Sequence, residues 1–444
     1  MKVENITLEK KYHSAVEHWR RHWMPDYDTL LASWEKYFPK DEPFCLCAKM
    51  EIGTPDMVSI GEHAGEKKRL QPDQLTEDEA KHLLAIIRAQ ASTEFGSIQQ
   101  HSVTLQRAPY DEDRYWVMRV MAEELRHGYQ MFHLLLSQDW THVSGGVTGE
   151  QMVEEILSMQ TGSHVLDAFN VEYDSFLDNI TFAAFVDRVG KYQLTMQKVC
   201  AYKPMADSMP QMLREEAFHL AAGVIPLRRF AQRAGAGDPF ITMSVLQKLI
   251  NKWFPRALEM FGDERGGDTN VKYGFKDMKN REAQDLYIEE VTRMVRDINS
   301  RFLRARFPGY TPERVDQVLD DLERSGGRHD GVEAAELLRI PDRRFFRRKG
   351  EPAWTMVGTH GEAFTDAEQY QRYLVTQLPE AYLTTFDMRM YVETLRKVAS
   401  GEMTPKDAIM KMPKLKRVGG TCPCSSAVRW VVDDTARNAS PALN

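Results

Sequence analysis

Two copies of one short pattern carry most of the chemistry open to this chain: Glu124-Leu-Arg-His127 and Glu216-Ala-Phe-His219. On a helix, residues three apart share a face, so each copy presents a carboxylate and an imidazole side by side. Glu94 precedes Glu124 by 30 residues, and Asp187 precedes Glu216 by 29. That separation brings the middles of two long helices face to face in a hairpin. The stripes around these residues are apolar, with Ile87 and Ile98 flanking Glu94, Met121 and Met131 flanking Glu124, and Ile180 and Leu194 flanking Asp187. Four carboxylates on inward faces would be costly to bury unless something positive lay among them. Two divalent cations balance four carboxylates and two neutral imidazoles, which removes most of that penalty. Mixed oxygen and nitrogen ligands favour iron or manganese, whereas zinc prefers four ligands and does no redox work. The other reading is a bundle whose inward acids are ion-paired to arginines such as Arg126 and Arg188.

In a chain with 13 histidines and 65 acidic residues, a single acid-x-x-His match carries little weight. A third match, Glu79-x-x-His82, is explained by a capping box in which Glu79 reaches back to Thr76. The paired spacing on apolar faces is what sets the other two apart. Four long helices must position them. The first runs from Thr76 to about Arg107 and stops at Ala108-Pro109. The second opens at the acidic run 111–113 and ends near Trp140. The third covers 176–202. The fourth covers 205–233, with Pro210 near its start and Pro226 kinking it. Further helical periodicity occupies 241–262 and 280–306, and Trp354-Thr-Met-Val-Gly358 reads as a short strand or hairpin.

The chain has 444 residues, a formal charge of −7, 42% hydrophobic and 28% charged residues. This is an ordinary globular composition. Mild acidity argues against nucleic acid as a partner, and no run approaches a membrane span. The start, Met1 to Thr7, lacks the apolar stretch of a signal peptide, and five cysteines exclude a disulfide scaffold, so a cytoplasmic protein is expected. The expected fold is mostly α: a ferritin-like four-helix bundle with additional helices and an irregular C-terminal region. An acid from each of two helices with Glu-x-x-His from the other two is the ligand set of such bundles. The expected division is an N-terminal segment packing on the bundle (1–72), a ferritin-like di-iron helical domain (73–306), a mixed region (307–400) and an irregular tail (401–444).

Ala91-Ser-Thr-Glu94, Ala122-Glu-Glu-Leu-Arg-His127, residues 181–194 and Leu213-Arg-Glu-Glu-Ala-Phe-His219 together resemble the di-iron oxygenases that epoxidise aryl-coenzyme A thioesters in aerobic aromatic catabolism. Within that family the benzoyl-CoA 2,3-epoxidase oxygenase subunits are nearest and the phenylacetyl-CoA epoxidase catalytic subunits more distant. Aspartate at 187 is the telling position, since many ferritin-like relatives carry glutamate there. The likeness is good over about 60–235, fainter over 240–375, and absent from the tail, which holds Thr421-Cys-Pro-Cys-Ser425.

The resemblance implies two iron ions held by Glu94, Glu124, His127, Asp187, Glu216 and His219, with manganese as the other candidate metal. It further implies O2 as co-substrate, one oxygen atom added across a ring double bond and the other leaving as water. Gln90 matches a glutamine near the metals. One turn before Glu94, it can contact a bound thioester or water, or simply be satisfied by its neighbours. The chain has no dinucleotide fingerprint, since Gly235-Ala-Gly237 runs into Asp-Pro-Phe, and no four-cysteine cluster spacing. A separate NADPH-dependent reductase with flavin and iron–sulfur centres is therefore implied. The protein is expected to be a monomer or small homo-oligomer.

Within the same fold, the alternatives are another di-iron oxygenase or oxidase, for example one acting on an arylamine, or a non-enzymatic metal-binding helical protein. The basic run Arg343-Arg-Phe-Phe-Arg-Arg-Lys349 can hold coenzyme A phosphates or be a solvated charge run, as Lys67-Lys68-Arg69 is expected to be. Cys45/Cys47 and Cys422/Cys424 are too closely spaced for a usual tetrahedral site and read as free thiols. His101 and His133 read as structural.

Overall fold

The computed structural model describes residues 2–262, 264–346, 356–411, 415–418 and 429–432. The chain opens on β1 (Lys2–Ile6), followed by helices α1 (Lys10–Trp23), α2 (Tyr27–Ala32) and α3 (Trp34–Tyr37) and then β2 (Ala48–Ile52). β1 and β2 pair antiparallel, with Lys2 opposite Ile52 and Ile6 opposite Ala48. This segment lies on the central helices through specific contacts. The buried Trp19 meets Phe95 edge-on at 4.7 Å, the Leu8 amide donates to Tyr129 Oη at 2.8 Å, and Glu51 accepts from Gln211 at 2.9 Å.

The bundle consists of α4 (Glu77–Thr104), α5 (Asp111–Leu136), the pair α7 (Phe176–Phe185) and α8 (Asp187–Gln197), and α9 (Lys203–Gly235), with α6 (Gly149–Ser158) lying against α4 and α5. α4 starts where Thr76 and Glu79 bond reciprocally: the Thr76 amide donates to Glu79 Oε2 at 2.8 Å and the Glu79 amide to Thr76 Oγ1 at 3.4 Å. α5 carries three acids in its first turn, where the helix dipole favours them. α9 contains Pro210 and Pro226 without ending at either. Beyond the bundle come α10 (Met243–Met260), α11 (Glu264–Lys272), α12 (Asn280–Arg306) and α13 (Pro312–Ser325). α12 lies along α9 and α10 against α7. A two-residue ladder, β3 (Arg328–His329) with β4 (Val332–Glu333), precedes α14 (Ala367–Gln377), α15 (Glu380–Leu383), α16 (Phe386–Ala399), α17 (Pro405–Lys411) and the antiparallel pair β5 (Leu415–Val418) and β6 (Arg429–Val432). The fold is mostly α, a ferritin-like bundle with appended helices.

Three local expectations are corrected. The third bundle helix is not continuous over 176–202. It breaks at Val186, where the Val189 amide bonds the Val186 carbonyl at 2.9 Å in a tightened turn, and it ends at Gln197. The next residues leave the helix because other chains of backbone capture them: the Ala201 amide donates to Gly274 and the Ala201 carbonyl accepts from Arg69. α5 stops at Leu136, and Trp140 turns back to donate from Nε1 to the Leu134 carbonyl at 3.1 Å. Lys67-Lys68-Arg69 is a solvated run only in part, with Lys67 exposed and Arg69 half-buried. It forms short bridges to Met57 and Tyr202, and Lys68 is buried. Of the stretch at 354–358, Val357 bridges Ala363 antiparallel, while Trp354 lies outside the described residues.

Candidate metal centre

Each bundle helix delivers its carboxylate to one point. Glu94 comes from α4, Glu124 and His127 from α5, Asp187 from the first residue of α8, and Glu216 and His219 from α9. None of the six is more than 9% exposed, so their charges are largely withdrawn from bulk water. Five of them form two triads within metal-ligating reach, Glu94 with Glu124 and His127, and Glu124 with Asp187 and His219. Glu124 belongs to both. Its Oε2 lies 3.6 Å from His127 Nδ1 and its Oε1 lies 3.4 Å from His219 Nδ1. Glu216 Oε2 adds a contact at 3.6 Å to His219 Nδ1, and Glu94 Oε2 lies 3.9 Å from His127 Nδ1. His127 Nδ1, His219 Nδ1, Asp187 Oδ2 and Glu216 Oε2 are buried with no protein hydrogen-bond partner. Orphaned atoms of this kind are rare and costly unless a ligand takes them up. Oxygen and imidazole donors converging in two groups about one shared carboxylate fit a pair of cations.

The arginine explanation fails on geometry. Arg126 turns away to Glu215 and the Cys45 carbonyl, and Arg188 to Glu290 and the Ala184 carbonyl. Among the described residues no lysine or arginine pairs with Glu94, Glu124, Asp187 or Glu216. Burial, reinforced by the Glu124 charge, pushes the Glu94 and Asp187 carboxyls well above the usual range. Burial also acts against Glu124, yet the Glu94 carboxyl and the His127 and His219 imidazoles close beside it hold it well below. Against the same burial, Glu124 and Glu215 raise His127 to about 9, and neighbouring carboxylates led by Glu216 raise His219. The cluster thus demands positive charge, which protons or metal ions can supply in competition.

Two residues that the spacing did not single out complete the centre. The first glutamate of each Glu-Glu-x-x-His run faces the histidine of the other. Glu215 Oε2 lies 3.1 Å from His127 Nε2, and Glu123 Oε2 lies 3.2 Å from His219 Nε2. Arg126 holds Glu215, and Arg119 Nε donates to Glu123 at 3.0 Å. Each imidazole is thereby turned so that Nδ1 points at the shared carboxylate, the outer-shell arrangement that fixes tautomer and basicity at metal sites. The doubling of glutamate in both motifs was the available signal. Gly190 leaves the room that Glu216 needs, since a Cβ there would stand 3.1 Å from its Oε1.

The other candidates separate from this centre. Glu79 caps α4 and pairs with His63, while His82 bonds Asn270. His101 bonds Asn179 and is held down to about 4 by burial. Arg343 is engaged by Gln284 and Asp285, and Arg344 by Asp342, while Arg347, Arg348 and Lys349 lie outside the described residues. Cys45 is exposed and Cys47 buried; Cys422 and Cys424 lie outside the described residues. A cavity of about 210 Å³ opens onto the carboxylates. Leu166, Phe169, Leu194 and Met260 form apolar wall, and Gln90 faces the space with its Oε1 unpartnered.

Comparison with known proteins gives two further findings. Residues 67–308 match the family described as phenylacetic acid catabolic protein. Over 359 residues the chain is 26% identical to benzoyl-CoA oxygenase component B of Aromatoleum evansii, covering 73% of this chain and 74% of that protein. Among the described residues no helix is long and apolar enough to cross a membrane.

Proposed function

The chain belongs to the phenylacetic acid catabolic protein family, and from that premise we propose that it is the oxygenase component of an aryl-CoA monooxygenase. The reaction inserts one oxygen atom of O2 into the aromatic ring as an epoxide and releases the other as water. Benzoyl-CoA is the favoured substrate and phenylacetyl-CoA the next. The observation that carries the reading is the pair of triads sharing Glu124 in a chain related to a benzoyl-CoA oxygenase component. Glu94, Glu124, His127, Asp187, Glu216 and His219 would hold two iron ions, with manganese as the other candidate. Bound iron supplies the redox chemistry that O2 requires and that no side chain provides.

The protein groups do the rest. Glu123 and Glu215 orient the imidazoles. The apolar wall excludes water and receives a planar ring, and Gln90 contacts the bound thioester or a water beside it. Balance requires two electrons and two protons per turnover, and neither cluster cysteines nor a dinucleotide fingerprint stands in the sequence. The electrons would come from a separate NADPH-dependent flavin and iron–sulfur reductase, in keeping with a relative named as one component of several. Metal-loaded protein with such a reductase, NADPH, benzoyl-CoA and labelled O2 should yield the labelled epoxide or its hydrolysis product. No labelled product from any aryl-CoA, at about two metal ions per chain, would overturn the reading. Hundreds of iron ions per assembly would indicate storage instead.

A further inference from the structure

The cavity that opens onto the carboxylates is not apolar throughout. Lys276, in the turn between α11 and α12, lines it although only 6% exposed. Its Nζ donates to Gln193 Oε1 at 2.5 Å. Among the described residues no carboxylate pairs with it, and the titratable group that faces it, Cys200, is kept a neutral thiol by burial. A buried ammonium with one neutral partner has donors to spare. One turn further along α8, Gln197 is 5% exposed and its Oε1 has no protein partner.

These groups stand at a definite height. Asp187, Gln193 and Gln197 all line the cavity from α8. At 1.5 Å per residue, Gln193 lies about 9 Å and Gln197 about 15 Å along the axis from Asp187. A ring seated between the apolar wall and the carboxylates would bring its acyl carbonyl towards the Gln193 level, and the chain beyond the sulfur towards Gln197. We propose that the Lys276 ammonium, held by Gln193, receives the carbonyl oxygen of the bound aryl thioester and so sets the ring's position over the metal centre. Lys276 is a positioning residue, and Gln197 offers its free oxygen to an N–H of the thioester arm. This assignment rests on the aryl-CoA reading. A charge-assisted hydrogen bond in a desolvated site is stronger than a neutral one, so loss of the carbonyl should be felt directly in affinity.

The test is calorimetric titration of metal-loaded protein with benzoyl-CoA, with S-benzyl-CoA, in which CH2 replaces the carbonyl, and with benzoate. The parent should bind benzoyl-CoA at least about ten-fold more tightly than S-benzyl-CoA. Lys276→Met should erase that preference and leave metal content unchanged. Equal affinity of the parent for both CoA compounds would overturn the assignment without any variant, as would a preference that survives in Lys276→Met. Benzoate binding more tightly than benzoyl-CoA would overturn it in favour of a free-acid site. Binding of neither CoA compound by the parent would instead remove the aryl-CoA reading itself.

Discussion

The start of α7 and the bundle centre both bury carboxylates, and they resolve the problem in opposite ways. At the start of α7, Asp178 is fully buried. It accepts from Lys252 Nζ at 2.8 Å, Trp253 Nε1 at 2.9 Å, and the amides of Asp174 and Ser175 at 2.9 and 3.0 Å. Every strong demand of that anion is met by the fold. At the bundle centre, four acids meet no lysine or arginine among the described residues, and Asp187 and Glu216 each keep an unpartnered oxygen. The chain can satisfy a buried aspartate when stability is the purpose. Where it leaves atoms of Asp187, Glu216 and two imidazoles without a protein partner around one point, the arrangement fits a partner supplied from outside.

The sharpest break of this contrast is Glu124→Ala. Because Glu124 belongs to both triads, metal analysis should fall from about two ions per chain towards none, with oxygenase activity lost entirely. Asp178→Asn should do the reverse. It leaves the Lys252 charge short of its main partner and should cost about 3 kcal/mol or more of stability in urea denaturation, while metal content stays at the parent value. Glu215→Gln is intermediate: His127 loses its orienting carboxylate, and metal affinity by competition with a chelator should drop about 10–100-fold.

The smallest effect concerns pH. Burial lowers the Lys276 ammonium to about 8, so benzoyl-CoA affinity should fall as pH rises through that value, by up to about ten-fold per unit for one proton. Cys200 stays protonated up to about 12, and Lys276→Met should flatten the profile.

The six central residues were legible because a buried helix face repeats every three or four positions, and a carboxylate on such a face stands out. The start of α4 was equally legible, since Thr76 and Glu79 carry their own local signal. What escaped depended on contacts between elements. Glu123 and Glu215 sit one position off the inward stripes and gain meaning only when α5 and α9 face each other. The break at Val186 uses neither proline nor glycine and keeps right-handed backbone angles, φ −84° and ψ −50°, so no residue type marks it. Arg126 and Arg188 have side chains long enough to reach either way, and only the positions of Glu215 and Glu290 decide. Lys276 comes from a turn with no periodicity. The tryptophans of the first 72 residues are placed by helices far away in sequence, which is why that segment had no readable architecture.

The most direct test of the central claim is anomalous diffraction from iron-loaded crystals at the iron edge. The account requires two peaks per chain flanking the Glu124 carboxylate, one beside His127 Nδ1 and the other beside His219 Nδ1. Well-ordered acids bonded only to water or to one another, with no peak between them, would contradict it.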